Sequence, residues 1–481
     1  MVIDHKSVAS LSIENPARPV VPRRMLTVVA LATLLNPLNS SMIAVALVPI
    51  QTAFRVGVGD ATWLISAFYL AGAVGQPLMG RLADQLGPRR VFVTGLALAA
   101  ITGALAPFAP AIGWLAGLRA LQAIGTSAAY PSGMAMFRAQ VATSRAPAAA
   151  AAPPAGAPAV ISIAANVSAA VGPTLGGALA EIAGWPAIFL VNLPAALVGM
   201  FLALRWLPAD RGGAPGGSVR SAVGLIDLPG VALFSLTLGG LLALLLSLST
   251  EPRWALLPVA PISGLLLVWR ELRTGTPFLN VRMLASGRGL AGVYGLFTTV
   301  NLVFYSVFFS LPLWLEKVRG MGPGQAGLIV MPLAGLGVVA TAVAARLIRR
   351  WGPGRPLALG AALLCGGVVL LLLLQPATPL AAIVAVLIVL GLPNGLLNLS
   401  LQALLFQAAT SSEMGAASGL FQTCRYVGSV LSTSLLGVVF ARGVSSSGLH
   451  ALGGVLAPIS FLLLVASLLR LVRPEPAPRG G

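Results

Sequence analysis

Long uncharged apolar runs, interrupted by short clusters of arginine, constrain this chain more than any other feature. A helix that crosses a bilayer needs about 20 apolar residues, because each backbone N–H and C=O must find its partner inside the helix where no water reaches. The intervals between charges therefore count the spans. Met25 to Phe54 holds one and residues 61–80 a second. The interval from Val91 to Phe137, broken only by Arg119, holds two around a turn at Pro107 to Gly113. Ala146 to Ala180 begins with the run AAAAPPAGAP and ends in a fifth span, and Ile182 to Leu204 is a sixth. Leu228 to Thr250, the short Trp254 to Trp269, Gly289 to Leu315 and Met321 to Ala345 follow. Two spans lie between Pro356 and Ser412, then one each in Met414 to Ala441 and Leu449 to Leu469, giving fourteen.

Composition removes the rivals. At 57% hydrophobic and 9% charged, the 481 residues cannot coat themselves for water, which excludes a soluble enzyme, a disordered tail and a disulfide scaffold. Cys365 and Cys424 lie far apart in apolar stretches, so neither a disulfide framework nor a metal site is expected. A net charge of +18 would suggest nucleic acid in a soluble protein, but the 30 Lys and Arg fall mostly between apolar runs, the pattern of membrane topology. No nucleic-acid partner is expected. Fourteen is even, so both ends share a side. With the N-terminus inside, only Arg55, Arg253, Lys317, Arg319 and Arg442 fall outside, and Arg119 and Arg425 within helices. The excess of basic residues on the other side predicts both termini in the cytoplasm and a multi-pass protein of the inner (cytoplasmic) membrane. The first 24 residues are polar and lack a cleavable signal pattern, so the first span reads as an uncleaved anchor.

GRLADQLGPRR at 80–90 and ARLIRRWGPGR at 345–355 align without gaps, each after an apolar span. Such an offset repeat predicts two homologous halves around a spacer. The expected organisation is a cytoplasmic segment 1–24, a six-helix bundle 25–208, a linker 209–284 with two extra helices, a second six-helix bundle 285–473 and a cytoplasmic tail 474–481.

The first of these loops resembles the signature between helices 2 and 3 of the major facilitator superfamily. Arg119-Ala-Leu-Gln122-Ala-Ile-Gly125 is similar to the family's Arg/Gln/Gly motif in helix 4, and Gly172-Pro173-Thr-Leu-Gly176-Gly177 to the antiporter motif of drug exporters in helix 5. GWPAIFLVNLP at 184–194 and DLPG at 227–230 are similar to the fourteen-helix drug/proton antiporters. The resemblance covers residues 25–475. It implies an all-α polytopic fold, two six-helix bundles plus two extra central helices, and a secondary transporter working by alternating access.

The residues support chemistry of that kind. Gly80 and Gly87 permit a tight reversal, while Asp84 can cap a helix or pair with Arg81, Arg89 and Arg90, making a latch between halves. An arginine inside a span costs at least about 2.5 kcal/mol, so Arg119 must face protein or a water-filled cavity, with Gln122 on the same helix face. Arg425 is a second such arginine. GPTLGG strips side chains and one backbone donor from a helix face, allowing close approach and a bend. Pro393-Asn394-Gly395 invites the alternatives of a cavity-lining break or a tolerated kink.

A titrating acid is what the sequence lacks. None of the 12 Asp and Glu sits centrally in a span, and Asn39 stands where the family commonly has Asp in its first helix. Asp60 and Glu181, at the outer ends of their spans, remain as candidate proton carriers. Without an acid in the cavity, a lipophilic neutral or weakly anionic substrate is expected rather than a cation. Trp63, Phe68, Tyr69, Tyr130, Phe304, Tyr305, Phe308 and Trp314 could line a hydrophobic site. The expected function is export of small lipophilic organic compounds, such as drugs or antibiotics, by proton antiport. The alternative is an uptake carrier or facilitator without proton coupling. A membrane enzyme is not expected, since HExxH, GxSxG and P-loop motifs are absent. Partners are a small-molecule substrate, protons and membrane lipids; the chain is expected to be a monomer without cofactor or metal.

Overall fold

The computed structural model describes residues 22–142, 156–210, 227–247, 253–275, 278, 282, 289–409 and 414–472. The AAAAPPAGAP run up to 155, most of the 209–227 linker, the 276–288 stretch apart from its two described positions, Glu413 and the 474–481 tail lie outside the described residues, as do positions 1–21.

The described chain is all helix. In order come α1 (Arg23–Phe54), α2 (Val58–Leu86), α3 (Pro88–Leu105), α4 (Ile112–Ser127), α5 (Ala129–Ala142), α6 (Gly156–Ala183), α7 (Ala187–Leu190) and α8 (Asn192–Trp206). They continue as α9 (Leu228–Ser247), α10 (Val259–Arg273), α11 (Leu290–Lys317), α12 (Pro323–Trp351), α13 (Gly354–Leu371), α14 (Leu380–Ala408), α15 (Met414–Val439) and α16 (Ser446–Val472). α5 continues the rod of α4, and α8 that of α7, so sixteen helices make fourteen antiparallel crossings. Eleven spans are long and apolar enough to cross a membrane by themselves. The α4–α5 rod, α6 and α15 complete the set.

One boundary differs from the sequence reading. Ile182 belongs to α6, not to the sixth span, because the chain reverses at Gly184, whose φ of 76° lies in the left-handed region. Trp185 and Pro186 then lead into α7.

The two aligned loops are structural twins. α2 ends at Gly87 (φ 100°) and Pro88 starts α3, while α12 ends at Gly352 (φ 73°) and Pro353 precedes α13. Glycine takes the left-handed corner, and proline fixes φ at the start of the next helix, where its missing N–H costs nothing. Helix pairing repeats as well. α1 packs on α6 as α11 packs on α15, α2 on α4 as α12 on α14, and α3 on α8 as α13 on α16. The two groups meet chiefly where α6 touches α12 and α2 touches α15. α9 and α10 pair with each other, and α9 leans on α2 and α15. An ion pair fixes the foot of this extra pair, with Arg270 Nη2 2.7 Å from Asp227 Oδ1.

The end of the bundle carrying Arg23, Arg89, Arg90, Arg349 and Arg350 is hereafter the basic end. At the opposite end the two groups are sealed. A Cβ on Gly177 would run into the Pro323 carbonyl, and one on Gly327 into that of Pro173. Backbone meets backbone there because no side chain stands between, the close approach that small residues allow in lipid.

Candidate functional site

Between the two groups, at mid-depth and toward the basic end, lies a cavity of about 290 Å³. α1 contributes Thr33, Asn36, Pro37, Ser40 and Ser41, spaced i, i+3, i+4, i+7, i+8, so that one polar stripe faces inward. α11 answers with Phe297, Phe304, Tyr305 and Phe308 on a single face. Amides complete the wall, among them Asn301, Asn394 and Asn398. Among the lining residues there is no Asp or Glu, and Arg425 on α15 carries the one formal charge.

The aromatic candidates divide. Tyr69, Tyr130, Phe304, Tyr305 and Phe308 line the cavity. Trp314 does not; it is fully buried near the opposite end, its indole N–H donating to Ser446 Oγ at 3.0 Å. Phe68 and Trp63 also lie off the cavity wall, Phe68 packed under Arg119. α14 runs unbroken through Pro393, with Asn394 on the cavity and Gly395 pressed against the α12 backbone.

The Asn39, Arg119, Gln122 and Gly125 group is brought together, but away from that wall. Arg119 is 2% exposed. Its Nη1 donates to Gln122 Oε1 at 2.9 Å, its Nη2 to the Asn39 carbonyl at 3.2 Å, and its guanidinium carbon sits 4.3 Å from the centre of the Phe68 ring. Backbone carbonyl, amide and ring face together replace the missing acid, since a cation over an aromatic face is attracted by the ring quadrupole. Asn39 exchanges hydrogen bonds with Asn192 on α8, donating at 2.5 Å and accepting at 2.8 Å. Two residues beyond Pro37 and off the polar stripe of α1, Asn39 points to a helix interface rather than the cavity. Gly125 serves contact between spans: a Cβ there would lie 2.7 Å from the Gly95 carbonyl oxygen.

In the 80–90 loop, Asp84 is exposed and makes no hydrogen bond or ion pair among the described residues. The carboxylate at this corner is Asp210, which accepts from the backbone N–H of Arg89 at 2.9 Å and of Arg90 at 3.0 Å. Arg89 also donates from Nη2 to the Leu204 carbonyl at 2.5 Å, while Arg81 is half-buried. Gly87 is required twice, by its φ and because a Cβ would strike the Asp210 carboxylate. Gly80 is in ordinary contact with Pro131.

The GPTLGG glycines sit at the seam between α1, α6 and α12. Gly172 abuts Ser41, a Cβ on Gly176 would lie 2.8 Å from the Met42 Cα, and Gly177 meets Pro323. Pro173 presents its carbonyl to Gly327. Glu181, one turn on, accepts a hydrogen bond at Oε2 from the Gly324 N–H, 3.1 Å away at the start of α12. Asp60 is exposed in the first turn of α2.

Two acids, Asp210 and Glu316, escaped the sequence reading, and Asp227 entered it only within DLPG. Asp210 and Asp227 sit at span ends, where a solvated role is the default. Glu316 is 8% exposed, beside the fully buried Leu313, Trp314 and Leu315, and its Oε1 has no hydrogen-bond partner. Lys317 and Arg319 make it look like a solvated helix end. The uninterrupted LPLWL before it was the signal that the helix is still inside protein.

Two repeated helical groups, sealed at one end around a polar and aromatic cavity, define a multi-pass carrier. The chain belongs to the Major Facilitator Superfamily, whose model matches residues 29–433. It is therefore a secondary transporter of the membrane and not an enzyme. It is 39% identical over 432 residues, 89% of this chain and 92% of the relative, to the uncharacterized MFS-type transporter YwoD of Bacillus subtilis strain 168. It is 27% identical, over 88% of this chain and 77% of the relative, to the tetracenomycin C resistance and export protein of Streptomyces glaucescens. Among solved structures, a bacterial homologue of the human lysosomal transporter Spinster, inward-facing and unoccupied, has a TM-score of 0.65 at 16% identity, covering 95% of this chain and 100% of that one.

Proposed function

We propose that this transporter exports small lipophilic organic compounds, as the fourteen-helix drug/proton antiporters do, by alternating access across the cytoplasmic membrane. The observation that carries the reading is the GPTLGG seam. Gly172, Gly176 and Gly177 let α6 close on α1 and α12 at one end, leaving the cavity disposed toward the basic end. By the arginine distribution the basic end is cytoplasmic, as are both termini, so the cavity takes its substrate from inside. The two halves that rock are 25–208 and 285–473, with 209–284 as linker, and the protein works as a monomer. The sequence similarity to a tetracenomycin C resistance and export protein supports the direction.

Protons are the coupling ion in this reading. Glu181 clasps the opposite end, and Asp60 is exposed there. Glu316 joins them as a carboxyl near the same mouth, with one buried oxygen that has no hydrogen-bond partner. The 80–90 loop, with Asp84 and Arg81, Arg89 and Arg90, is the cytoplasmic latch, and Arg119 with Gln122 stiffens the interface behind the cavity.

Toxicity profiling in an efflux-deficient bacterial host, followed by flux in inverted vesicles with and without a pH gradient, tests the reading. Export predicts gradient-dependent uptake into inverted vesicles. Inward, gradient-independent flux would instead establish the facilitator.

A further inference from the structure

We propose that the cavity selects aromatic organic monoanions, the anionic group seated on Arg425 and the ring system held by the aromatic face of α11. This rests on the cavity being the substrate site.

Charge comes first. Among the described residues that line the cavity with Arg425 there is no carboxylate, and its guanidinium carbon lies 5.7 Å from the Tyr426 ring centre. A guanidinium in low dielectric without a counter-ion is costly, and a carboxylate, phenolate or sulfonate on the substrate supplies one through charge-assisted bonds. An organic cation would meet like charge with no acid to offset it. A single arginine matches a single negative charge.

Two hydroxyls reinforce the site. Tyr69 and Tyr426 are each 2% exposed, line the cavity, and lie with ring centres 5.8 Å apart. Neither hydroxyl has a partner at good hydrogen-bond geometry, although Ser40 and Tyr305 lie within weak polar reach of Tyr69, and Arg425 and Gln76 of Tyr426. Buried phenols this weakly satisfied beside a cation are a half-made anion site, with O–H donors that an oxyanion can engage.

The rings provide the rest. Tyr305 sits 5.3 Å from Tyr69, and Phe304 and Phe308 stack at 5.8 Å with planes 19° apart. Flat π-faces next to the cation favour a planar aromatic body over a flexible aliphatic one. Asn301 and Asn394 add neutral donors and acceptors, which suit an oxygen-substituted ring without opposing its charge.

Binding of four probes to the purified full chain in detergent, by isothermal titration calorimetry, tests this: 2-naphthoate, neutral 2-naphthamide, cationic 2-naphthylmethylammonium and acetate. The expected order places naphthoate at least tenfold tighter than the ammonium compound and than acetate. Arg425→Gln should bring naphthoate to the affinity of naphthamide while leaving naphthamide within threefold, and Arg425→Lys should restore part of the preference. Tyr69→Phe and Tyr426→Phe should each weaken naphthoate several-fold. Equal or tighter binding of the ammonium compound or of acetate, or naphthoate binding untouched in Arg425→Gln, overturns the proposal. Naphthamide and naphthoate bound alike would sink the anion selectivity and leave the exporter reading standing. Arg425-dependent naphthoate binding without outward flux would do the reverse, and no naphthalene binding at all would overturn the proposal while the vesicle flux decides the exporter reading.

Discussion

The Glu181 carboxylate on α6 caps the first turn of α12, accepting from the Gly324 N–H at 3.1 Å, and so joins the two halves at the sealed end. A negative charge at a helix N-terminus is worth about 0.3–1 kcal/mol when exposed. Glu181→Gln should therefore shift the open-to-closed equilibrium at this end by roughly two- to fivefold. Gly177→Val should act more strongly, since a side chain there must displace the Pro323 backbone. Labelling of a cysteine placed at the outer mouth reads both. Unchanged labelling in the two variants would show that this contact is not the seal.

Asn39 and Asn192 satisfy one another deep in the protein, so each is a liability without the other. Either single alanine variant should lose about 1–3 kcal/mol of stability, from the amide oxygen left unpaired while the NH2 group keeps its backbone carbonyl. The double variant should lose less than the sum of the two, because both orphans disappear together. Thermal unfolding in detergent measures the cycle. Additive losses would mean that the pair does not couple.

At the basic end, the two acids of one corner should separate stability from transport. Asp210 accepts two backbone N–H groups at the start of α3, and its replacement by alanine should cost about 0.5–2 kcal/mol. Asp84 has no such partner here, so Asp84→Asn should leave unfolding unchanged and slow transport if the latch forms in the other conformation. Normal flux from Asp84→Asn would remove the latch assignment.

Glu316 is the acid that geometry, rather than sequence position, singles out. Its buried, unpartnered oxygen makes the neutral amide at least as comfortable there as a carboxylate. Glu316→Gln should fold with undiminished stability and lose the acceleration that a pH gradient confers on flux. Retained acceleration would return the proton to Glu181 or Asp60.

Moving a monoanion outward across an inside-negative membrane is favoured by about 2.3 kcal/mol per 100 mV. A cavity without an acid is thus no obstacle to driven export. Naphthoate efflux from proteoliposomes should rise when valinomycin and potassium set the interior negative, and naphthamide efflux should respond less. Equal response of the two probes would remove charge from the transported species.

The sequence alone determined the number of crossings, the basic end and the family. Each follows from where charges interrupt apolar runs and from motifs that sit at corners such as Gly87-Pro88. The polar stripe of α1, Thr33, Asn36, Pro37, Ser40 and Ser41, keeps helical spacing but emerged only with the cavity it lines. What the sequence left open was rotation. In a soluble helix the apolar face marks the core, but a span is apolar on its lipid side and on its protein side alike. Which polar residue meets the cavity therefore depends on how neighbouring helices pack. Tertiary structure alone turned Asn39 and Arg119 into an interface and Arg425 toward the cavity. It also buried Glu316 behind a helix end and carried Asp210, distant in the chain, onto the amides that Asp84 was expected to serve.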